Sequence, residues 1–356
     1  MRCASLVQPA RGRAAAPATV ILLWACVAAC QGSGTPDGAS GKTSAAPAAD
    51  VAANAAANVA ANVDVTVIGL DGVTGLSGLA ADARGALWMM PERKDMLVER
   101  PAEAGATPRA WPLTGAPDED LDLESLAWLG TTQDGRERFA VGTEAICERN
   151  THAVLVAERQ GEGFRVVETL RLSLDLWPET VCEDGHGIEG LCAALGPQGE
   201  AHVVAAIEHP EQDEQKRRYA PVAVLAYPGP GQAGQAEKTW TPYRVALTSE
   251  TGKLSALDCA LSPDGTGGIE VWGIERHFET SRLVRFVVPA RGAGQAQGGL
   301  IAPTVVMDLS PYTSGGKRNF EGLRVADGRV HVLVDNHWRT ITGPNEILSL
   351  SLPAAP

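Results

Sequence analysis

The sequence has no long amphipathic helical pattern, which argues against a helical bundle. With 39 Gly, 23 Pro and 44% hydrophobic residues it describes a globular chain rich in strands and turns. The apolar run near the N-terminus, Pro17 to Ala29, is shorter than the roughly 20 residues a spanning helix needs. Basic residues are scarce, 30 Lys+Arg against 43 Asp+Glu. Such a surface repels nucleic acid and anionic lipid, and a phosphorylated ligand would need a cation to mediate its binding. Familiar catalytic signatures are missing too. GLSGL around Ser77 has Leu79 where the G-x-S-x-G elbow needs its last glycine. GASGKTS has Pro36 where a phosphate loop needs its first glycine, and no zinc-protease helix motif occurs.

What is present begins with an export segment. Arg2, Arg11 and Arg13 precede the short apolar run, which ends in Val27-Ala28-Ala29-Cys30. That ending resembles a bacterial lipobox, and residues 1–30 are read as a lipoprotein signal with Cys30 as the lipidated residue; an ordinary secretory peptide is the alternative. Gln31 after the cysteine resembles the outer-membrane-sorted class, so the expected location is the bacterial cell envelope, with the membrane as a partner through the lipid. Residues 31–62 are mostly Ala, Gly, Ser and Asn with no Leu, Ile, Met or aromatic residue for a core, and read as a disordered linker. The export segment removes three of the 30 basic residues and no acid, leaving 27 against 43 and a net charge of −16.

The rest, residues 63–356, repeats. Short triplets start at Ser77, Glu124, Glu189, Ser255 and Glu321, at intervals of 47, 65, 66 and 66 residues. After each triplet come an apolar strand, a Gly/Asp turn and a second strand ending in an acid: Glu92, Glu144, Glu208, Glu275 and Asp335. A third strand follows in every unit (HAVLVAE, YAPVAVLAY and RLVRFVV are examples) and a fourth in most. Four antiparallel strands at this spacing are the blades of a β-propeller. The expected fold is all-β, with about five blades, or six if one long unit hides a divergent blade. The last unit is one strand short, and VDVTVIGL, Val63 to Leu70, is one strand in excess. Pairing the two would close the ring and remove its edges.

In such a blade the innermost strand starts at the face where the second strand ends. Glu92, Glu124, Glu144, Glu189, Glu208, Glu275, Glu321 and Asp335 should therefore meet at one mouth of the channel. Eight carboxylates cannot cluster without compensation. The candidates are Ca²⁺, a hard ion taking six to eight oxygens, and the chain's own Arg93 and Arg276. Histidines gather at the same mouth: His186 just before Glu189, and His209, His277 and His337 just after strand-end acids. Cys147 and Cys182 fall in loops at this face, and a disulfide between them would staple adjacent blades. Cys192 and Cys259 lie early in inner strands, where buried thiols are the commoner fate.

Several segments resemble the exported phytase-like, "esterase-like activity of phytase" propeller family. They are LSGLAADARGALWMMPER, DLESLAW, GHGIEGLCAAL, IEHPEQDEQ, WGIERHF, NFEGLRV and DNHW, in that order, within residues 64–352. Ser125 in place of glycine and Ser255 in place of glutamate depart from its pattern. The family's name implies phosphoester hydrolysis from its acidic residues, and joined to the cation expected at the mouth this gives a Ca²⁺-dependent phosphoester hydrolase with metal-bound water as nucleophile. Glu124, Glu189, Glu208, Glu275, Glu321 and Asp335 would then be ligands or their supports. Arg93, Arg276 and His337 would contact phosphate, and His186 or His277 would move protons. The alternative is a non-catalytic propeller that binds a ligand or partner protein at the same mouth.

Overall fold

The computed structural model describes residues 63–70, 75–92, 94–103, 105–116, 122–147, 150–182, 186–230, 238–277, 280–290, 299–335 and 345–353. The signal and lipidation site at Cys30, the linker, Arg93 and His337 lie outside them. No helix among the described residues is long and apolar enough to cross a membrane.

The strands form five antiparallel blades in chain order, after an N-terminal strand β1 (Val65–Leu70). Blade 1 is β2 (Leu76–Ala81), β3 (Leu87–Pro91), β4 (Met96–Arg100) and β5 (Arg109–Thr114). Blade 2 is β6 (Leu123–Thr131), β7 (Glu137–Ile146), β8 (Thr151–Gln160) and β9 (Gly163–Ser173). Blade 3 is β10 (Gly190–Leu195), β11 (Ala201–Ala206), β13 (Arg218–Tyr227) and β14 (Thr241–Ala246), with β12 (Glu211–Gln212) appended to β13. Blade 4 is β15 (Lys253–Leu261), β16 (Gly268–His277), β17 (Thr280–Pro289) and β19 (Thr304–Asp308), with β18 (Leu300–Ile301) paired to β14. Blade 5 is β20 (Asn319–Ala326), β21 (Arg329–Asp335), β22 (Asn345–Ser351) and, outermost, β1. The β1–β22 register runs from Val65 opposite Leu350 to Leu70 opposite Asn345, so the first strand closes the ring. Among the described residues the number of blades is five.

The inner strands explain the small residues of the triplets. β2 packs on β6, β6 on β10, β10 on β15, β15 on β20, and β20 returns to β2. At that spacing a side chain has no room. A Cβ on Gly322 would come within 2.7 Å of the Leu79 Cβ, and one on Gly78 within 2.7 Å of the Leu126 backbone nitrogen. Gly78 also has φ +61°, a left-handed conformation that costs glycine least. The serines of the triplets clasp neighbouring blades instead: Ser77 Oγ donates to the Glu124 carbonyl, Ser125 Oγ to Ile188 and Ser255 Oγ to Phe320.

The hydrophobic core is divided among the five seams between blades. Each seam holds one triplet leucine: Leu126 between blades 1 and 2, Leu191 between 2 and 3, Leu257 between 3 and 4, Leu323 between 4 and 5, and Leu79 between 5 and 1. The closing seam is the smallest, a cluster around Leu76, Leu79, Met89, Leu333 and Ile347. Two disulfides reinforce the blade 2–3–4 arc. Cys147–Cys182 joins the loops after β7 and before β10, as expected. Cys192 and Cys259 are not free thiols: they bond to each other across inner strands β10 and β15, whose close approach brings the Cα atoms to 5.7 Å. Two disulfides fit an oxidising, non-cytoplasmic compartment.

Candidate functional site at the acidic mouth

Local irregularity aims the triplet acids. In β6 the ladder shifts between Leu123 and Ser125, leaving Glu124 as the extra residue. In β20 it shifts between Phe320 and Gly322, leaving Glu321. Ser255 is the extra residue of β15. A bulged residue leaves the pleat and can point where the alternation of a regular strand would not send it. Glu189 reaches the same place from the residue just before β10.

The mouth has two halves. On the blade 2 side, Asp122, Glu124 and Glu144 bring one carboxylate oxygen each to within 4.8 Å of one another. Gly187 seals this half from behind: it bridges Glu144, and a Cβ there would lie 2.6 Å from the Glu124 Cγ. On the side of blades 3 to 5, two cations sit among acids. Arg276 Nη2 lies 2.6 Å from Glu321 Oε1 and 3.7 Å from Glu189 Oε2. Lys253 Nζ contacts Glu208 closely and lies 3.8 Å from Glu189 Oε1. Asn319 donates to Glu321 from two residues earlier.

Eight carboxylates (Glu92, Asp122, Glu124, Glu144, Glu189, Glu208, Glu321 and Asp335) thus face Lys253 and Arg276 among the described residues. The imbalance shows in the protonation equilibria. Burial first, then the charges of Glu321, Asp335, Glu189 and Asp122, push Glu92 up to about 8. Burial and the charges of Glu189, Glu92, Glu321 and Glu144 push Glu124 up still further. Glu321 is also raised by burial, although Arg276 and Lys253 pull it back. Burial opposes the charge on Arg276, but Glu321 and Glu189 prevail and hold its pKa above the usual guanidinium value. At neutral pH this group of acids must hold protons or accept a cation.

Not every expected residue is here. Glu275 turns away, because successive side chains of β16 alternate and Arg276 takes the channel side. Its two oxygens accept from the backbone nitrogens and hydroxyls of Thr248 and Ser249, at 2.5–2.9 Å. His277 is exposed at the end of β16. His186 adjoins Gly187 and packs edge-on against His209, ring centroids 5.3 Å apart. His209 Nδ1 in turn lies 3.2 Å from Glu211 Oε1.

Two residues of the mouth carried no expectation. Asp122 and Lys253 both lie two positions before a triplet, as Asn319 does. The recurrence of a polar or charged residue two positions before the triplet, Asp122, Lys253 and Asn319, is the signal that would have found them.

A family model described as "Phytase-like: Esterase-like activity of phytase" matches residues 71–337. Comparison with curated proteins finds no match. Among solved structures, the chain is similar to the PQQ-bound aldose sugar dehydrogenase of Streptomyces coelicolor, at 13% identity over 82% of this chain and 98% of that one, with a TM-score of 0.43. It is similar to the apo aldose sugar dehydrogenase of Escherichia coli at 12% identity, covering 82% and 100%, TM-score 0.41. Virginiamycin B lyase of Staphylococcus aureus matches at 10% identity, covering 82% and 100%, TM-score 0.36.

Proposed function

The chain belongs to the phytase-like family described by esterase-like activity of phytase, and from that premise we propose that its acidic mouth is a Ca²⁺-dependent phosphoester hydrolase site. The observation that carries the reading is the trio Asp122, Glu124 and Glu144, three hard oxygen donors within 4.8 Å of one another. Oxygen-only donor sets suit Ca²⁺ rather than thiophilic metals. The donors fit on electrostatic grounds as well, since burial and the neighbouring charges of Glu189, Glu92, Glu321 and Glu144 all oppose the ionised form of Glu124, a cost that a bound cation would offset. Asp122, Glu124 and Glu144 would hold the ion, with Glu189, Glu208, Glu321 and Asp335 as its outer supports. When bound it would polarise a phosphoryl oxygen and offset the charge that grows there.

The chain's own residues supply the rest. Arg276, held by Glu321 and Glu189, presents a fixed guanidinium across the mouth from the trio and would orient the phosphoryl group. His186, next to Gly187 and so beside Glu124, would take a proton from the attacking water and return it to the departing ester oxygen. Arg93 and His337 belong to the same proposal as further phosphate contacts. Anchoring in the envelope through a lipid on Cys30 completes it, supported by the lipobox-like Val27-Ala28-Ala29-Cys30 and by the two disulfides.

One observation favours the alternative of a non-catalytic binding propeller: Lys253 and Arg276, the cations of the mouth among the described residues, are already engaged by its glutamates. Assay of the protein on phosphomonoesters and phosphodiesters, in Ca²⁺ and in chelator, separates the two. Hydrolysis should require Ca²⁺ and fall at least about 100-fold in Glu124→Gln, a loss of the order seen when an electrostatic group of a reaction centre is removed. Hydrolysis that persists in chelator rejects the Ca²⁺ dependence, and no hydrolysis beside clear Ca²⁺ binding rejects the catalytic reading.

A further inference from the structure

The acidic trio of the mouth is held from behind by two stretches of backbone that meet edge to edge. On the first, the Glu144 nitrogen donates to the Asp122 carbonyl at 3.2 Å, so two of the three acids are tied directly. On the second, Gly187 bridges Glu144, and the Ile188 nitrogen donates to the Thr143 carbonyl at 3.1 Å. The Gly187 carbonyl in turn accepts from the Glu208 nitrogen at 3.0 Å. The third acid, Glu124, lies against Gly187, where no Cβ would fit. The backbone around Gly187 therefore sets all three donors.

The Cys147–Cys182 bond ties the two stretches together just outside this ladder. Cys147 follows the last residue of β7 and stands three positions after Glu144, and Cys182 stands five positions before Gly187. Upstream of Cys182 the segment is anchored by buried Trp177, whose indole donates to the Tyr243 carbonyl, and by Glu179, which accepts from Arg244. Both anchors grip β14, the fourth strand of blade 3. The disulfide is the covalent tie that brings the segment back to blade 2.

The two disulfides differ in access. Cys192 and Cys259 are 4% and 7% exposed within the inner strands. Cys147 and Cys182 are half-buried, and Val181 beside them is 68% exposed. Thiol–disulfide exchange needs a thiolate to reach a sulfur, so the Cys147–Cys182 bond is the one a reductant meets first.

We propose that the Cys147–Cys182 bond is a redox latch on the cation site. Closed, it sets Asp122, Glu124 and Glu144 for the ion; opened by a dithiol reductant, it lets the site loosen and release it. This inference rests on the reading of the trio as a Ca²⁺ site. One thiolate of the dithiol attacks a cysteine sulfur and the S–S bond breaks, leaving a mixed disulfide. The second thiolate displaces the remaining cysteine. The dithiol gives up two electrons as it closes to its own disulfide, and its two protons end on Cys147 and Cys182. Groups that orient metal ligands from behind contribute about 10- to 100-fold in metal affinity, which sets the size of the effect.

Isothermal titration of Ca²⁺ into the full-length protein tests the latch with both bonds closed, after dithiothreitol treatment, and in Cys147→Ser/Cys182→Ser. Opening the bond by either route should weaken Ca²⁺ at least about tenfold. Cys192→Ala/Cys259→Ala removes the inner bond and should leave the affinity unchanged, which separates a positioned site from a loosened fold. Two further readouts on the unsubstituted protein stand whether or not the serine variant folds. Alkylation with mass mapping should find Cys147 and Cys182 opened before Cys192 and Cys259. Saturating Ca²⁺ should shift the dithiol equilibrium toward the closed bond by the same factor that closure adds to affinity, because coupling between two equilibria is reciprocal. Unchanged affinity on opening, an equal loss in Cys192→Ala/Cys259→Ala, or earlier opening of the inner bond would overturn the latch and leave the Ca²⁺ site standing. Absence of Ca²⁺ binding with both bonds closed would overturn the site and the latch with it.

Discussion

The two ends of one channel solve opposite electrostatic problems with the same five strands. At the mouth, bulges and strand ends crowd eight carboxylates around two cations among the described residues, and burial drives glutamates toward their neutral forms. A few residues further along, alanines and leucines line the wall, and Asp82 and Asp258 each have their donors. Position along the strand decides which problem applies. Near the start, the inner strands carry a residue that leaves the pleat. At the triplets they approach so closely that Gly78 and Gly322 leave no room for a side chain, and beyond the leucines the channel widens into a cavity of about 400 Å³.

The contrast can be broken most severely at Arg276. Replacing it by Met would leave Glu321 and Glu189 facing each other with Lys253 alone. Loss of one partner of a buried pair costs about 3–5 kcal/mol, read by denaturant unfolding at neutral pH. A change below about 1 kcal/mol would mean that the mouth compensates its charge by other means.

At the far end the strongest lever is the Cys192–Cys259 bond, which closes a loop of 67 residues. Chain-entropy reasoning gives a contribution of about 4 kcal/mol for a loop of that size, and measured losses run about 2–5. Replacing both cysteines by Ala should lower stability by that amount, and the mouth should keep its Ca²⁺ response.

The sharpest discriminator between the ends is Ca²⁺ itself. Addition at about 100 times its dissociation constant should stabilise the protein by about 2.7 kcal/mol, seen as a rise in Tm. Glu124→Gln should erase the rise, whereas Arg324→Gln should leave it intact. No shift in the unmodified protein at millimolar Ca²⁺ would remove the metal from the mouth.

The gentlest test is pH. Glu92 ordinarily titrates near 4.5 and is raised to about 8 in the fold. A raised acid favours folding fully below its unfolded value and loses that advantage as pH climbs through the folded value. Without Ca²⁺, stability should therefore fall between about pH 4.5 and 8, by up to about 1.4 kcal/mol per pH unit for this one group. Glu92→Gln should flatten the slope, and Ca²⁺ should reverse it by displacing the protons.

Most of the architecture was legible because it repeats. The five triplets, the strand-end acids and the surplus strand before Ser77 sufficed to count blades and to close the ring. The mouth was only partly legible. Glu124, Glu189, Glu208, Glu321 and Asp335 come together with Arg276, but Glu275 does not. Parity decides between Glu275 and Arg276 at the end of β16, and the register of that strand against β15 shifts between Leu254 and Ala256, which the sequence does not report. Asp122 and Lys253 escaped because each precedes its triplet rather than belonging to it. The Cys192–Cys259 bond escaped because it depends on how near β10 comes to β15, which spacing along the chain does not report.

Ring closure has a consequence for how the chain reaches this state. The Asp64 nitrogen donates to Ser351 Oγ across 287 residues of sequence, and β1 can dock only after β22 exists. Until then the outer edge of β22 is open and the thin seam between blades 5 and 1 is unformed. Such distant contacts are slow to form, because the chain must give up loop entropy before they reward it. Blades 1 to 4 can assemble in the order they are made, while the earliest strand waits for the last. An unclosed ring is thus the species most exposed to edge-to-edge association, and whatever holds the N-terminal segment away from its neighbours during that wait protects the whole molecule.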